Sequence, residues 1–400
     1  LVMEQAERAI ARITRAEMER RWALMRAHLA ERGVDALVTT ARGHDTLAGY
    51  VRWLTGRPQG GYLHVLIFPT RDPMISIEHG PMGRRQNLSG DDPERPGQGE
   101  LITTASIGSV EYTKAYEAEI VADVVRRRGY RKLALAGAGA MPFGFVSALR
   151  DILGAQVEWS DETQFLDKCK AIKSAEEVAA IEQTTRMQDE VFERLLTQIR
   201  PGMRDVEITS LARHEGNRIG SEGNGVFLGG SASPGHPAPI LPQHLQGRRL
   251  GRGDQFTLLI ENNGAAGYYA ELARVIVFGK ASSELSEAFA ACCEAQHQTV
   301  AQFKPGASCR EIYQSYSDYL KGAGMPPELR LYCHGQGLDL VERPLVRHDE
   351  EMRLAADMFL ACHPGYASPN LFCFICDNYF VGPEGPSECA HRTPKQIFEL

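Results

Sequence analysis

The sequence predicts two domains, an α/β domain over residues 1–165 and an α+β domain over residues 166–400 made of two related halves. Three observations carry that expectation. Short β-branched runs alternate with helical segments in the first part of the chain, the pattern of a mixed or parallel sheet flanked by helices. A polar, Lys-rich stretch, DKCKAIKSAEE at 167–177, then breaks the alternation ahead of a long helix. Beyond it the chain repeats itself: RPGMRDVEI at 200–208 returns as KPGASCREI at 304–312, with Pro, Gly, Glu and Ile in register. Self-similarity at a fixed offset marks a duplicated architecture.

The elements follow in order. Residues 4–33 place Ala9, Ile13, Met18, Trp22, Met25 and Leu29 at helical spacing with Arg and Glu between them, and Gly33 ends the run. The strands ALVTT, YLHVLIF, PMISI, LALAG and QVEWS come next, with helices over 116–128 and 143–153 between them. Ser174 followed by Glu177 is a capping pattern that opens the long helix. Each Pro-Gly turn closes a helix and leads into a second helix and then β-rich segments, ending at Val277-Phe278-Gly279 in one copy and Phe380-Val381-Gly382 in the other. Two halves packed about a pseudo-twofold, with their strands in one sheet, leave a cleft at the junction.

Composition excludes several classes. A chain of 400 residues that is 43% hydrophobic and 24% charged is globular in balance. Its net charge of −7 lacks the basic surplus that nucleic-acid binding uses. No apolar run reaches the roughly 18 residues of a spanning helix, and the first residues mix Glu and Arg where a leader would be apolar, so a cytoplasmic, membrane-free protein is expected. Nine cysteines, an odd number spread from Cys169 to Cys389, read as reduced thiols. Cys373 and Cys376 have CxxC spacing without a second pair, and LFCFIC reads as a buried strand. GAGAMPFG at 137–144 lacks dinucleotide-loop spacing, and the GGSAS around Ser231 is no nucleophile elbow.

Chemistry-bearing residues gather in four places: Glu261, Tyr269, Glu271 and Arg274 in IENNGAAGYYAELAR; His334 and Glu342 in HGQGLDLVERP; His363 in CHPG; and Cys376 with Asp377 in ICDN. Carboxylates on apolar β segments need a partner or a purpose. His334 lies beside glycines that permit close backbone approach.

In this order, with the IKSAEE boundary and the paired Pro-Gly turns, these motifs resemble the pita-bread fold family of creatinase, prolidase, aminopeptidase P and methionine aminopeptidase, over essentially the whole chain. The resemblance implies an N-terminal α/β domain and a C-terminal pita-bread domain. Metal-dependent members hold two ions on two Asp, one His and two Glu. Counting eleven residues back from Glu271 puts the first Asp position at Ile260, and alternation then aims the neighbouring Glu261 at the opposite face. Glu271 stands at the second Asp, His334 at the His, and His363 and Cys376 at the two Glu positions. A second histidine that peptidases place seven residues after the first is Val341 here. Loss of that negative charge argues against a two-metal centre, although Glu271, His334, His363 and Cys376 are zinc-type ligands.

Creatinase works without metal, and the resemblance implies the same here, with no cofactor. It places the general base at His236 in GHPAP, with His244 as its rival. Glu271, His334 and His363 would act with it. Glu261, Tyr269, Arg274, Glu342, Cys376 and Asp377 would contact substrate, Arg274 by binding its carboxylate or by holding Glu271. The expected function is metal-independent hydrolysis of a C–N bond in a small nitrogen-containing, carboxylated molecule. The alternatives are a lyase on the same fold, a metal-dependent Xaa-Pro peptidase, and a non-catalytic binding module. The resemblance also implies a homodimer in which the N-terminal domain of one subunit covers the other's site, giving Arg52 and Trp53 a share in specificity.

Overall fold

The computed structural model describes residues 12–42, 49–58, 60–223 and 225–400. Ala9, at the start of the expected first helix, lies outside them. The described residues form two compact units, 12–170 and 171–400.

In the first unit the chain runs α1 (Arg15–Glu31), β1 (Ala36–Arg42), α2 (Gly49–Thr55), β2 (Leu63–Pro69), β3 (Met74–His79), β4 (Arg85–Asn87), β5 (Gln98–Thr104), α3 (Tyr116–Arg128), β6 (Lys132–Ala136), α4 (Phe143–Leu153), β7 (Glu158–Asp161) and α5 (Thr163–Ala171). Thr14 caps α1 by accepting from the Glu17 amide, and Gly33, at φ +64°, closes it in the left-handed conformation that glycine adopts without strain. The seven strands order as β4-β5-β3-β2-β1-β6-β7. β1 pairs antiparallel with β2 and parallel with β6, so the sheet is mixed. α3 and α4 lay Val121, Val125, Phe145 and Leu149 against the core that Val38, Val65 and Leu133 share. Trp53 is fully buried, with the Arg21 guanidinium 5.4 Å from its ring, and Arg52 is buried beside it. Trp53 is thus a core residue of this unit.

The second unit is two similar halves. The first comprises α6 (Ala175–Leu196), α7 (Asp205–Ile219), β8 (Gly225–Ala232), β9 (Gln255–Asn263) and β10 (Tyr269–Val277). The second comprises α8 (Ser283–Val300), α9 (Cys309–Gly322), β11 (Cys333–Gly335), β12 (Glu342–Leu345), β13 (Phe359–Cys362), β14 (Gly365–Ala367), β15 (Phe372–Phe374) and β16 (Asp377–Phe380), and β17 (Phe398–Glu399) returns to pair with β10. Ser174 and Glu177 form the expected capping box at the start of α6.

The duplication extends to hydrogen bonds. Gly202 donates to Leu250 O at 2.7 Å and Gly306 to Leu354 O at 2.8 Å, both glycines at positive φ. Isolated bridges join Arg204 to Arg249 and Ser308 to Arg353 at the same offset. The halves contribute sheets β17-β10-β9-β8 and β12-β11-β13-β16. Where they meet, Ala273 and Cys376 exchange backbone hydrogen bonds at 3.2 and 3.3 Å, which carries β10 alongside the start of β16. No helix among the described residues is long and apolar enough to cross a membrane.

Candidate active site

Register decides which side chains meet at that junction. β9 and β10 pair antiparallel with Glu261 opposite Glu271 and Ile260 opposite Leu272. Directly opposed residues project from the same face, so the two glutamates share a face and Ile260 and Leu272 share the other. Ile260 and Leu272 lie in the core with Val191, Phe227 and Phe256. The expectation that Ile260 lines the site and Glu261 faces away is therefore corrected. In this hairpin ten residues, not eleven, separate the facing acidic positions, so counting along the chain lands one residue short and on the wrong face.

β11 and β13 supply the histidines. Cys333 pairs with Cys362, which places His334 and His363 at the end of adjacent strands, their rings 5.2 Å apart and edge to face. Nδ1 of His334 donates to Gly335 O at 2.9 Å, leaving Nε2 as the acceptor, 3.8 Å from Glu271 Oε2. Nε2 of His363 lies 4.0 Å from the same oxygen. One ligand atom each from Glu271, His334 and His363 lie within 4.8 Å of one another. All three residues are buried, and neither Glu271 Oε2 nor His363 Nδ1 has a hydrogen-bond partner.

Burial governs the protonation states. It lowers His334 to about 4 and holds His363 well below its ordinary value, helped there by His334 and Arg330, so both rings are neutral near pH 7. Burial also raises Glu271 to about 7 even though Cys376 and Glu261 donate to it. Glu261 is pushed well above the carboxylate range, first by burial and then by Glu271. Two buried carboxyl groups on one face of the hairpin resist ionising together, so their titrations are linked. Gln336 steadies Glu261 through a 3.0 Å bond from Nε2 to Oε1. Burial, then the negative charge of Glu271, hold the Cys376 thiol protonated.

Other expected site residues have structural duties. Arg274 spends all five N–H groups on the chain: on the carbonyls of Pro394, Ala273, Cys376 and Thr393 and on Asp377 Oδ1 at 2.6 Å. It and Asp377 are fully buried, so neither can bind substrate, which corrects both assignments. Glu342 is likewise corrected: Lys173 Nζ lies 2.8 Å away, and its other oxygen accepts from the Leu338 and Asp339 amides, shaping the loop after His334. Tyr269 is buried two residues before Glu271 and so on its face of β10, with its amide bonded to Gly337 O. His236 and His244 are exposed on the connection between β8 and β9; Nδ1 of His236 lies 3.3 Å from Pro234 O. The structure does not bring either to the buried group. Gln336, Asn378 and His391 also border the site, and no spacing signal in the sequence marks amides or a histidine beyond the last motif.

The family model described as metallopeptidase family M24 matches residues 179–383, just over half of the sequence. The chain belongs to metallopeptidase family M24. It is 23% identical over 287 residues to the Bacillus subtilis protein named uncharacterized peptidase YqhT, covering 70% of this chain and 79% of that one. It is 26% identical over 205 residues to the Xaa-Pro dipeptidase of Pyrococcus furiosus, where the match spans 50% of this chain and 58% of the relative. In fold it resembles the prolidase of Thermococcus sibiricus (TM-score 0.78, 19% identity, covering 96% of this chain and 99% of that one). The X-Pro aminopeptidase of Thermotoga maritima is similar (TM-score 0.76, 18% identity, 95% and 99%). The M24 fold is thus the pita-bread architecture expected from the sequence, and the family is one of hydrolases.

Does this M24 chain retain a metal set? Two imidazoles and a carboxylate with an orphaned oxygen are the ligand types of a catalytic zinc site. One zinc-type ion fits Glu271, His334 and His363. A pair of ions fits poorly, because only Glu261 and Glu271 remain of the four carboxylates the family pattern uses, and an oxygen of Glu261 already serves Gln336.

Proposed function

We propose that this M24 chain is a hydrolase that cleaves a C–N bond in a small nitrogen-containing molecule by proton transfer within the Glu261–Glu271 pair. The observation that carries the reading is the convergence of Glu271 Oε2 and two neutral imidazole nitrogens at one buried point, beside a carboxyl group that keeps its proton. The lone pairs of Glu271 Oε2 and His334 Nε2 face inward and need a proton, a cation or a donor from the ligand. Substrate N–H groups supply such donors. The carboxylate expected on the substrate loses its support, because Arg274 is fully committed.

Hydrolysis takes one proton from water and gives one to the leaving nitrogen. Ionised Glu271 accepts the first, and Glu261 delivers the second, the division of labour that unequal carboxyl groups allow. His334 accepts a hydrogen bond from substrate N–H or water, and the neutral ring of His363 beside it helps to fix its position. Two donors at one point also discriminate: a ligand lacking them leaves buried acceptors unpaired.

The convergent Glu271, His334 and His363 favour one second reading, a metal-dependent peptidase like the Xaa-Pro dipeptidases that the chain resembles. A zinc ion held there would polarise the scissile carbonyl and acidify a bound water. One experiment separates the two. Protein purified without chelators is assayed for metal content and challenged with creatine, simple amides and Ala-Pro in ¹⁸O-labelled water. Amine release with uptake of one solvent oxygen, undiminished by a chelator, is the expected result. Activity that a chelator abolishes and zinc restores gives the second reading.

A further inference from the structure

A chain of buried polar groups leads from the carboxyl pair to the far side of the sheet. The backbone amide of Glu271 donates to Asn378 Oδ1 at 2.7 Å. A backbone N–H can only donate, so this contact fixes which end of the Asn378 amide is oxygen. Asn378 Nδ2 then donates to Gln336 Oε1 at 3.0 Å, leaving Gln336 Nε2 to donate to Glu261 Oε1 and to Leu340 O. The amide chain thus ties the Glu261 side chain and the backbone at Glu271 to the same two residues.

Asn378 is held in turn from behind. Its Oδ1 lies 3.1 Å from Nε2 of His391, which must be the donor because Oδ1 cannot be. Nδ1 of His391 faces Asp189 Oδ1 at 3.6 Å, a charge contact rather than a hydrogen bond, and the His391 side chain is fully buried. Asp189, on α6, accepts from the amides of Arg392 and Thr393 and from the Thr393 hydroxyl at 2.6 Å. Those bonds and His391 keep its carboxyl ionised, down at about 2 against the cost of burial. A buried carboxylate and imidazole in contact are costly to keep unless they hold something. Here the thing held is Asn378.

We propose that His391, packed against Asp189, is a positioning residue of the active site: through Asn378 it fixes the β10 backbone at Glu271, and through Gln336 the place of the Glu261 side chain. That these two glutamates act on substrate rests on the proposed function, but the positioning claim does not. Two measurements keep them apart: hydrogen exchange reads the Glu271 amide, and turnover of a cleaved probe reads the site.

In His391→Leu the Glu271 amide exchanges about tenfold faster or more while distant β9 amides keep their rates. Turnover of a cleaved probe falls through kcat while KM changes less, because the donors stay in place and their aim is lost. His391→Gln, which keeps an N–H donor, restores both readouts. Asp189→Asn shifts both in the same direction by less, and it carries the test if His391→Leu fails to fold. Unchanged exchange at Glu271 in a folded variant overturns the proposal. A wild-type protein that cleaves no probe refutes the proposed function instead, and the exchange result then decides the role of His391 alone.

Discussion

Replacing both site carboxyls, Glu261→Gln with Glu271→Gln, should change how stability depends on pH. Both groups have folded-state values above their unfolded ones. For a raised pKa the stability contribution is fully present below the unfolded value and is lost as pH climbs through the folded one. For Glu271 that window runs from 4.5 to about 7. At about 1.4 kcal/mol per unit, wild type should lose about 3 kcal/mol across it relative to the double variant. Glu261, raised from the same unfolded value, adds its own loss from 4.5 upward, so about 3 kcal/mol is the least the pair should lose. Glutamine preserves the volume of each side chain and the Gln336 contact geometry, so the difference isolates the ionisation. Urea denaturation of both proteins at closely spaced values between about pH 5 and pH 8 gives the two curves. If they run parallel, the pair is ionised throughout, as a bound cation would make it, and the linked titration is refuted.

Four further outcomes follow from the same geometry. Arg274→Met should cost about 3–5 kcal/mol by stranding the Asp377 carboxylate, and a urea midpoint close to wild type would contradict its structural role. Gly335→Ala places a Cβ 2.6 Å from Arg343 O, so it should destabilise the protein by more than about 1 kcal/mol and move His334; an undisturbed melting temperature would count against the packing described. His236→Ala should leave turnover of a cleaved probe near wild type, whereas a loss of about a hundredfold would return His236 to the mechanism as a base. Metal analysis of chelator-free protein should find at most one zinc per chain, and two equivalents would overturn the assigned donor set.

Much of this architecture is legible in the sequence, and the exceptions have a common cause. Helices at 116–128 and 143–153 and the Ser174–Glu177 cap are local features, written in spacing and capping chemistry. The repeat at 200–208 and 304–312 reports the duplicated halves because each copy makes the same hydrogen bonds. Glu271, His334, His363 and Cys376 are brought together as their motifs suggest. Glu261 was misassigned because facing partners in a hairpin are set by turn length, and one residue reverses the face. Arg274 and Asp377 carry the charges of a ligand site, but they serve each other across 103 residues of sequence, and Arg274 also serves carbonyls as far as Pro394, which no local pattern records. Gln336, Asn378 and His391 escape for the same reason: an amide becomes part of a site only through what it faces.

Residues 392–399 form a strap across the second unit. Thr393 and Pro394 lend their carbonyls to Arg274, Thr393 is gripped by Asp189, and Phe398 lies alongside Ile276. A protease cut or an engineered stop after Glu388 would thus unlatch a buried guanidinium and the rear wall of the site together. Such a clipped protein should lose its chemistry and its cohesion in one event.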